Sequence, residues 1–201
     1  MIEAVIFDVG GVLHIYDGQL VQTEVISGLS ITLDTFRQVW VSLTNKLEMG
    51  LLTEEEYWEE FKKATGSTVQ LPEESLLVRG LRKSFHINTE VIEIVRRLKK
   101  QGFKLAVLSN TILPHTRYMD EIGLYDLFDR KLFSYDIGAK KPDPRTYQAA
   151  LAALDISPTV GVFIDDREEN VTAANQLGLN GLVYTTAEKL REDFSILGIH
   201  V

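Results

Sequence analysis

Apolar and polar positions along the chain fall into two regimes. The opening run Ala4-Val5-Ile6-Phe7 is continuously apolar, ends on Asp8 and leads into Gly10-Gly11, the pattern of a short buried strand that breaks into a sharp turn. From residue 16 to 88 the period lengthens to that of a helix. Phe36, Val39, Trp40, Leu43 and Leu47 share one helical face. Tyr57, Trp58 and Phe61 share another, after the capping-box start Thr53-Glu54-Glu55-Glu56. The stretch reads as an all-helical insertion.

Beyond it strands alternate with helices. A helix around Val91, Ile94, Val95 and Leu98 stops at Gly102 and precedes a strand over 104–108. Further strands are predicted over 131–133, 160–164 and 181–184, with helical segments near 115–122, 145–154 and 168–177 between them. Such alternation predicts an α/β fold, a Rossmann-like parallel sheet with helices on both faces. The core then comprises residues 1–15 plus 89–201, and residues 16–88 form the inserted helical cap. In open sheets of this kind ligands bind beyond the carboxyl ends of the strands.

Composition narrows the function classes. The 45% hydrophobic and 25% charged fractions are those of an ordinary globular protein. No apolar run approaches the ~18–20 residues of a membrane span, so no membrane partner is expected. The first apolar run has no basic flank and carries an Asp, which argues against a secretory signal and for the cytoplasm. The absence of cysteine excludes disulfides, cysteine zinc sites and thiol nucleophiles, and the four histidines lack ligand-like spacing. A formal charge of -8 disfavours nonspecific nucleic-acid binding. It also means that a site for an anion must supply its own positive charge.

Three predicted strands end in polar residues: Asp8, then Ser109-Asn110, then Asp165-Asp166. The loop Gly138-Ala139-Lys140-Lys141-Pro142-Asp143-Pro144, stiffened by its two prolines, opens a helix and brings a lysine to the same edge. Three carboxylates, a hydroxyl, an amide and an ammonium are then gathered together. Clustered carboxylates repel one another unless a cation binds among them, and a set of hard oxygens suits Mg2+.

The segments VIFDVGGVL, LAVLSN, KPDPRTY and VFIDDREENVTAANQLG, in that order, resemble the four motifs of the haloacid-dehalogenase-like hydrolases. The resemblance covers essentially the whole chain. It is greatest to small sugar-phosphate phosphatases with Gly two positions after the nucleophile, and the last motif is also similar to that of the phosphatase domain of soluble epoxide hydrolase. It implies a helical cap inserted after the first strand and a small phosphorylated metabolite as substrate. It further implies that Asp8 attacks phosphorus to give an aspartyl phosphate, which water hydrolyses. Ser109 and the backbone N–H of Asn110 hold phosphate oxygens, and Lys141 neutralises charge on Asp8 and the phosphoryl group. Mg2+ binds Asp8, the Gly10 carbonyl and Asp166, while Asp165 and Asn170 support that shell.

The chain departs from the family pattern at Gly10, where most such phosphatases have the Asp that protonates the leaving oxygen. General acid-base catalysis is worth ~10^2 to 10^4-fold, so a slow enzyme, a preference for good leaving groups or a borrowed acid is expected. His14, Tyr16 and Asp17 are the nearest substitutes.

Each element has a plainer reading. Asp165-Asp166 can cap a helix, Ser109-Asn110 can close a turn, and Lys140-Lys141 can be a solvated pair, in which Pro142 singles out Lys141 through the family pattern. Trp40, Trp58 and Phe61 read as packing of the insertion rather than a substrate stack. Competing functions are a metal-independent dehalogenase, against which the Asp165-Asp166 pair argues, and a catalytically silent phosphate- or partner-binding protein, for which Gly10 argues. Phosphomutase chemistry uses the same aspartyl phosphate. A response-regulator-like phosphoacceptor ranks last, because its sheet has no room for the insertion.

Overall fold

The four side chains of Ala4–Phe7 (β1) are all apolar and fully buried, which is the requirement for the central strand of a sheet covered on both faces. In the computed structural model, which describes residues 1–201, β1 lies at the middle of a five-stranded sheet. The chain continues through β2 (His14–Ile15), α1 (Gly18–Leu29), α2 (Leu33–Glu48), α3 (Glu54–Thr65), α4 (Leu76–Arg82) and β3 (His86–Ile87). It then runs through α5 (Thr89–Lys100), β4 (Lys104–Ser109), α6 (Leu113–Glu121), β5 (Arg130–Phe133), α7 (Ser134–Ile137) and α8 (Pro144–Leu154). The last elements are β6 (Gly161–Asp165), α9 (Glu168–Gln176), β7 (Asn180–Val183) and α10 (Ala187–Ile196). The strand order is β5-β4-β1-β6-β7, and every neighbouring pair is parallel.

Alternation along the strands divides the core between the two faces. Val5, Phe7, Leu105 and Val107 pack with Ile94, Val95 and Leu98 of α5 and with Phe194 of α10. Ile6, Ala106, Leu108 and Phe163 pack on the other side with Tyr147 and Ala150 of α8 and with Ala174 of α9. Helices therefore cover both faces, as the strand-helix alternation predicts. No helix is long and apolar enough to cross a membrane.

Register aligns the chemistry. Phe7 is opposite Val107 on one side and Ile164 on the other. One residue further on stand Asp8 and Asp165, and Ser109 ends β4 two residues beyond Val107. All reach the same carboxyl edge of the sheet.

The helices α1 to α4 leave and rejoin the core through β2 and β3, which pair antiparallel as a short ribbon. They have their own apolar centre, in which Val25, Leu29, Phe36, Tyr57, Phe61 and Leu76 are buried. Thr53 starts α3 as the sequence predicts: its hydroxyl accepts from Glu56 N at 3.2 Å, and the Glu56 carboxylate accepts from Thr53 N at 2.8 Å. α1 and α4 approach so closely that a Cβ on Gly80 would lie 2.4 Å from the Val21 Cα. Only glycine fits there.

Two features lie outside the sequence pattern. β2 and β3 are two residues each, too short for any period to register. The helix α10 follows the last predicted strand and closes one face with Leu190 and Phe194.

Candidate active site

The backbone N–H of Asp8 donates to the Ile164 carbonyl at 2.8 Å, which extends the β1–β6 ladder and fixes this aspartate at the sheet edge. Its carboxylate is 7% exposed at the residue level and lies 2.7 Å from the Lys141 ammonium. The same ammonium lies 2.6 Å from Asp165, which is fully buried at the end of β6. A single buried cation thus bridges two buried carboxylates.

Local structure delivers Lys141 to that position. The Asn110 side chain accepts from Lys141 N at 2.7 Å and donates to the Lys141 carbonyl at 2.9 Å. The following Lys141-Pro142 bond is cis, and Asp143 then caps α8, whose first residue is Pro144. Below this loop, Ser134 accepts from Thr111 N at 3.0 Å and donates to the Thr111 carbonyl at 3.1 Å, tying the start of α7 to the segment after β4.

Asp165 is saturated. Besides Lys141 it accepts from Asn170 Nδ2 at 2.9 and 3.0 Å and from Arg167 N at 2.9 Å. Asp166 instead faces the cleft, close over Gly11. Gly11 has φ +78°, and a Cβ there would fall 2.5 Å from Asp166 Oδ2, so both its backbone conformation and its neighbour require glycine.

Charge at the edge is out of balance. The carboxylates of Asp8, Asp165 and Asp166 each place an oxygen within 4.8 Å of the others. Burial, partly offset by Lys141 and reinforced by Asp165, pushes the Asp8 carboxyl up to about 6. Burial, and then Asp165, raises that of Asp166 as well. The buried Oδ1 of Asn170 has no partner. Excess negative charge on hard oxygens, facing an open cleft, fits a small divalent cation.

The cleft has a volume of about 380 Å³, and its walls include Asp8, Gly10, Tyr16, Ser109, Lys141 and Asp166. Asn110 lines it too, whereas Asp165 lies behind it. A second cavity of about 270 Å³ shares Gly10, Tyr16, Ser109 and Asn110 with the first and extends beneath the inserted helices.

Of the three substitutes for an acid, Asp17 lines neither cavity and instead caps α1 through Gln19 N at 2.8 Å. His14 lines the second cavity, but burial lowers it to about 4, so at neutral pH it carries no proton to give as an imidazolium. Tyr16 borders both cavities, and burial raises its phenol above the ordinary value.

Sequence reasoning missed His115, which lines the second cavity and is likewise held near 4 by burial. It also took Trp40 as packing alone. Trp40 stacks on Phe36, with ring centroids 4.6 Å apart, and in addition lines the second cavity. Lys140, next to Lys141, is not a free solvated charge: it donates to Asn45 Oδ1 at 2.7 Å and pairs with Glu48, both on α2.

Residues 2–178 match the sequence family described as haloacid dehalogenase-like hydrolase. The chain belongs to that family. Among its family relatives, a sesquiterpene phosphatase of Aspergillus oryzae is 29% identical over 91% of this chain and 90% of its own length. A phosphatase of Mycobacterium tuberculosis is 30% identical over 98% of this chain and 95% of its own. The fold is that of a haloacid-dehalogenase-family enzyme from Bacteroides thetaiotaomicron, with a TM-score of 0.81, 22% identity and coverage of 96% and 98% of the two chains. That enzyme has also been solved with magnesium and inorganic phosphate, where the TM-score is 0.76 at 22% identity, covering 92% of this chain and 95% of that one.

Proposed function

We propose that this hydrolase cleaves a small phosphate monoester with Mg2+ and through an aspartyl phosphate on Asp8. Phosphatase chemistry is what the full-length relatives are named for. The observation that carries the reading is the row Asp8–Lys141–Asp165 at the sheet edge, with Asp166 beside it in the cleft.

Asp8 is the nucleophile. Lys141 orients it through the 2.7 Å ion pair and offsets the repulsion between the carboxylate and the incoming phosphate. Because Asp165 and Asn110 hold Lys141 from both ends, the ammonium is fixed before substrate arrives. The Asn110 side chain is committed to that task, so its contribution to phosphate binding is its backbone N–H, alongside the Ser109 hydroxyl. Asp8, the Gly10 carbonyl and Asp166 hold the metal, with Asp165 behind them as support. Bound there, Mg2+ supplies positive charge that counters the phosphoryl oxygens and the Asp8 carboxylate.

Residues 16–88 act as a cap that shields this chemistry. Lys140 ties the catalytic loop to α2, and Gly50, just after α2, passes so near the Tyr135 carbonyl that an added Cβ would lie 2.2 Å from it. The insertion is thereby closed onto the core beside the nucleophile. With Gly10 in place of an acid, good leaving groups are favoured.

Phosphate release from p-nitrophenyl phosphate tests the reading, since its leaving group barely needs protonation. Turnover should require Mg2+, stop with EDTA and vanish in Asp8→Asn. Folded, Mg2+-binding protein with no turnover above the Asp8→Asn background would instead identify a silent phosphate-binding member.

A further inference from the structure

We infer that the leaving group taken by this site is a single compact, uncharged alcohol with a largely apolar or aromatic body and no second anionic group. The inference rests on the phosphatase reading above and concerns the second cavity. That cavity begins at Gly10, Ser109 and Asn110, where the phosphoryl group is bound, and runs away from them under α2. The alcohol esterified to the phosphate is placed there, beneath the insertion, rather than in the open first cleft.

Its walls are the first argument. Its apolar walls include Trp40, Leu47, Tyr57 and Leu77 of the insertion and Ile112 and Met119 of the core, beside polar groups such as Gln22 and Thr44. Trp40 is braced by its stack on Phe36, and Tyr57 is fully buried. Rigid aromatic and branched walls of this kind gain most from apolar surface.

Charge is the second. No lysine or arginine lines the cavity, and its one charged side chain, Glu48, is already paired with Lys140. A second phosphate or a carboxylate buried there would have no cation to pair with, which is costly.

Polar capacity is the third. His115 Nε2 is engaged with the Leu77 carbonyl at 3.2 Å, and the Thr44 and Tyr57 hydroxyls lie 3.5 Å apart, facing each other. A polyol brings a hydroxyl on nearly every carbon, and each buried hydroxyl needs a partner. The Gln22, Thr111 and Tyr16 side chains, further polar groups of the wall, can pair with a few such hydroxyls but not with the full set of a polyol. At about 270 Å³ the cavity also falls just under the ~300–1,000 Å³ of usual small-molecule sites, room for one ring or a short branched chain.

The test is a set of kcat/KM values, with Mg2+, on primary alkyl phosphates whose leaving alcohols have similar acidity. 2-Phenylethyl phosphate and 3-methylbutyl phosphate should exceed glucose 6-phosphate and fructose 1,6-bisphosphate by at least ~10-fold, mainly through KM, the order of one or two buried methylenes. In Leu47→Lys, which puts a cation into the apolar wall, the preference should narrow or invert towards the bisphosphate. Equal or better use of glucose 6-phosphate, with p-nitrophenyl phosphate turned over normally, overturns this inference and leaves the phosphatase standing. Absence of Mg2+-dependent turnover on every substrate, p-nitrophenyl phosphate included, overturns both.

Discussion

The side-chain amide of Asn110 grips both backbone polar groups of Lys141, accepting from its N–H at 2.7 Å and donating to its carbonyl at 2.9 Å. The end of β4 therefore sets the position of an ammonium that lies 31 residues further along the chain. Asn110→Asp keeps the size but turns the donor facing the Lys141 carbonyl into an acceptor. The expected result is a stability loss of about 1–3 kcal/mol from the unsatisfied or repelled group. Because the lysine then shifts relative to Asp8, kcat should fall by roughly 10^2-fold. Denaturant melts and steady-state kinetics on p-nitrophenyl phosphate check both. Unchanged kcat would mean that the loop holds Lys141 without this clamp.

Gly10 and Gly11 are neighbours with opposite tolerance. A Cβ on Gly11 would strike Asp166, whereas a Cβ on Gly10 meets nothing within 4 Å and projects from a residue that borders both cavities. Gly10→Asp should therefore fold and place a carboxyl where the leaving oxygen departs. Turnover of alkyl phosphates is expected to rise by ~10-fold or more, within the ~10^2 to 10^4 that acid-base catalysis supplies, with little change for p-nitrophenyl phosphate. An equal effect on both substrates would show that the new carboxyl does not act as an acid.

The contrast between these glycines also marks what could be read from the chain. Asp8, Ser109 and Asp165-Asp166 are legible because an apolar strand must end somewhere, and polar residues at those ends lie at one edge of a parallel sheet. The register of Phe7 beside Val107 and Ile164 is the physical form of that rule. Division of labour within the Asp pair was only suggested: Asp165 belongs to β6 and turns inward to Lys141 and Asn170, while Asp166 turns outward. The side-chain clamp of Asn110 and the contacts of Lys140 and His115 were hidden because each spans at least 31 residues, to the Lys141 backbone, to α2 and to Leu77. Local pattern carries no signal for such pairs. The short ribbon of β2 and β3 escaped for the opposite reason, having too few residues to display a period.

The raised Asp8 carboxyl gives the metal-free protein a definite pH dependence. Its value in the folded chain, about 6, lies above the ordinary 3.8, so the folded state binds this proton more tightly than the unfolded state does. The stability this contributes is complete below about pH 4 and is lost as pH rises through about 6. Mg2+ competes with the same proton, so its binding works in the opposite sense. Thermal melts should show a larger Mg2+-induced rise in Tm at pH 7.5 than at pH 5, and Asp8→Asn should flatten the metal-free profile between pH 4 and 6. A Mg2+ shift of equal size at both pH values would place the metal away from Asp8.

Lys140 makes the other long reach from the loop that carries Lys141, to Asn45 and Glu48 of α2, with about three-quarters of its side chain and of Glu48's covered. It is the residue next to Lys141, so a movement of α2 and a movement of the loop are mechanically joined. Lys140→Ala removes a charge-assisted hydrogen bond and an ion pair from the closed arrangement and leaves Glu48 without its cation at the cavity wall. The closed state should lose about 1–2 kcal/mol, a factor of roughly 5–30 in its favour over open forms. Amide hydrogen exchange should accelerate by that factor in α2, while β1 and β6 keep their protection. KM should rise more for substrates that fill the space under Trp40 and Leu47 than for inorganic phosphate as an inhibitor, which needs only the far side of Ser109. Exchange in α2 that is unaltered in the variant would mean that apolar packing alone closes the insertion and that Lys140 is incidental to it.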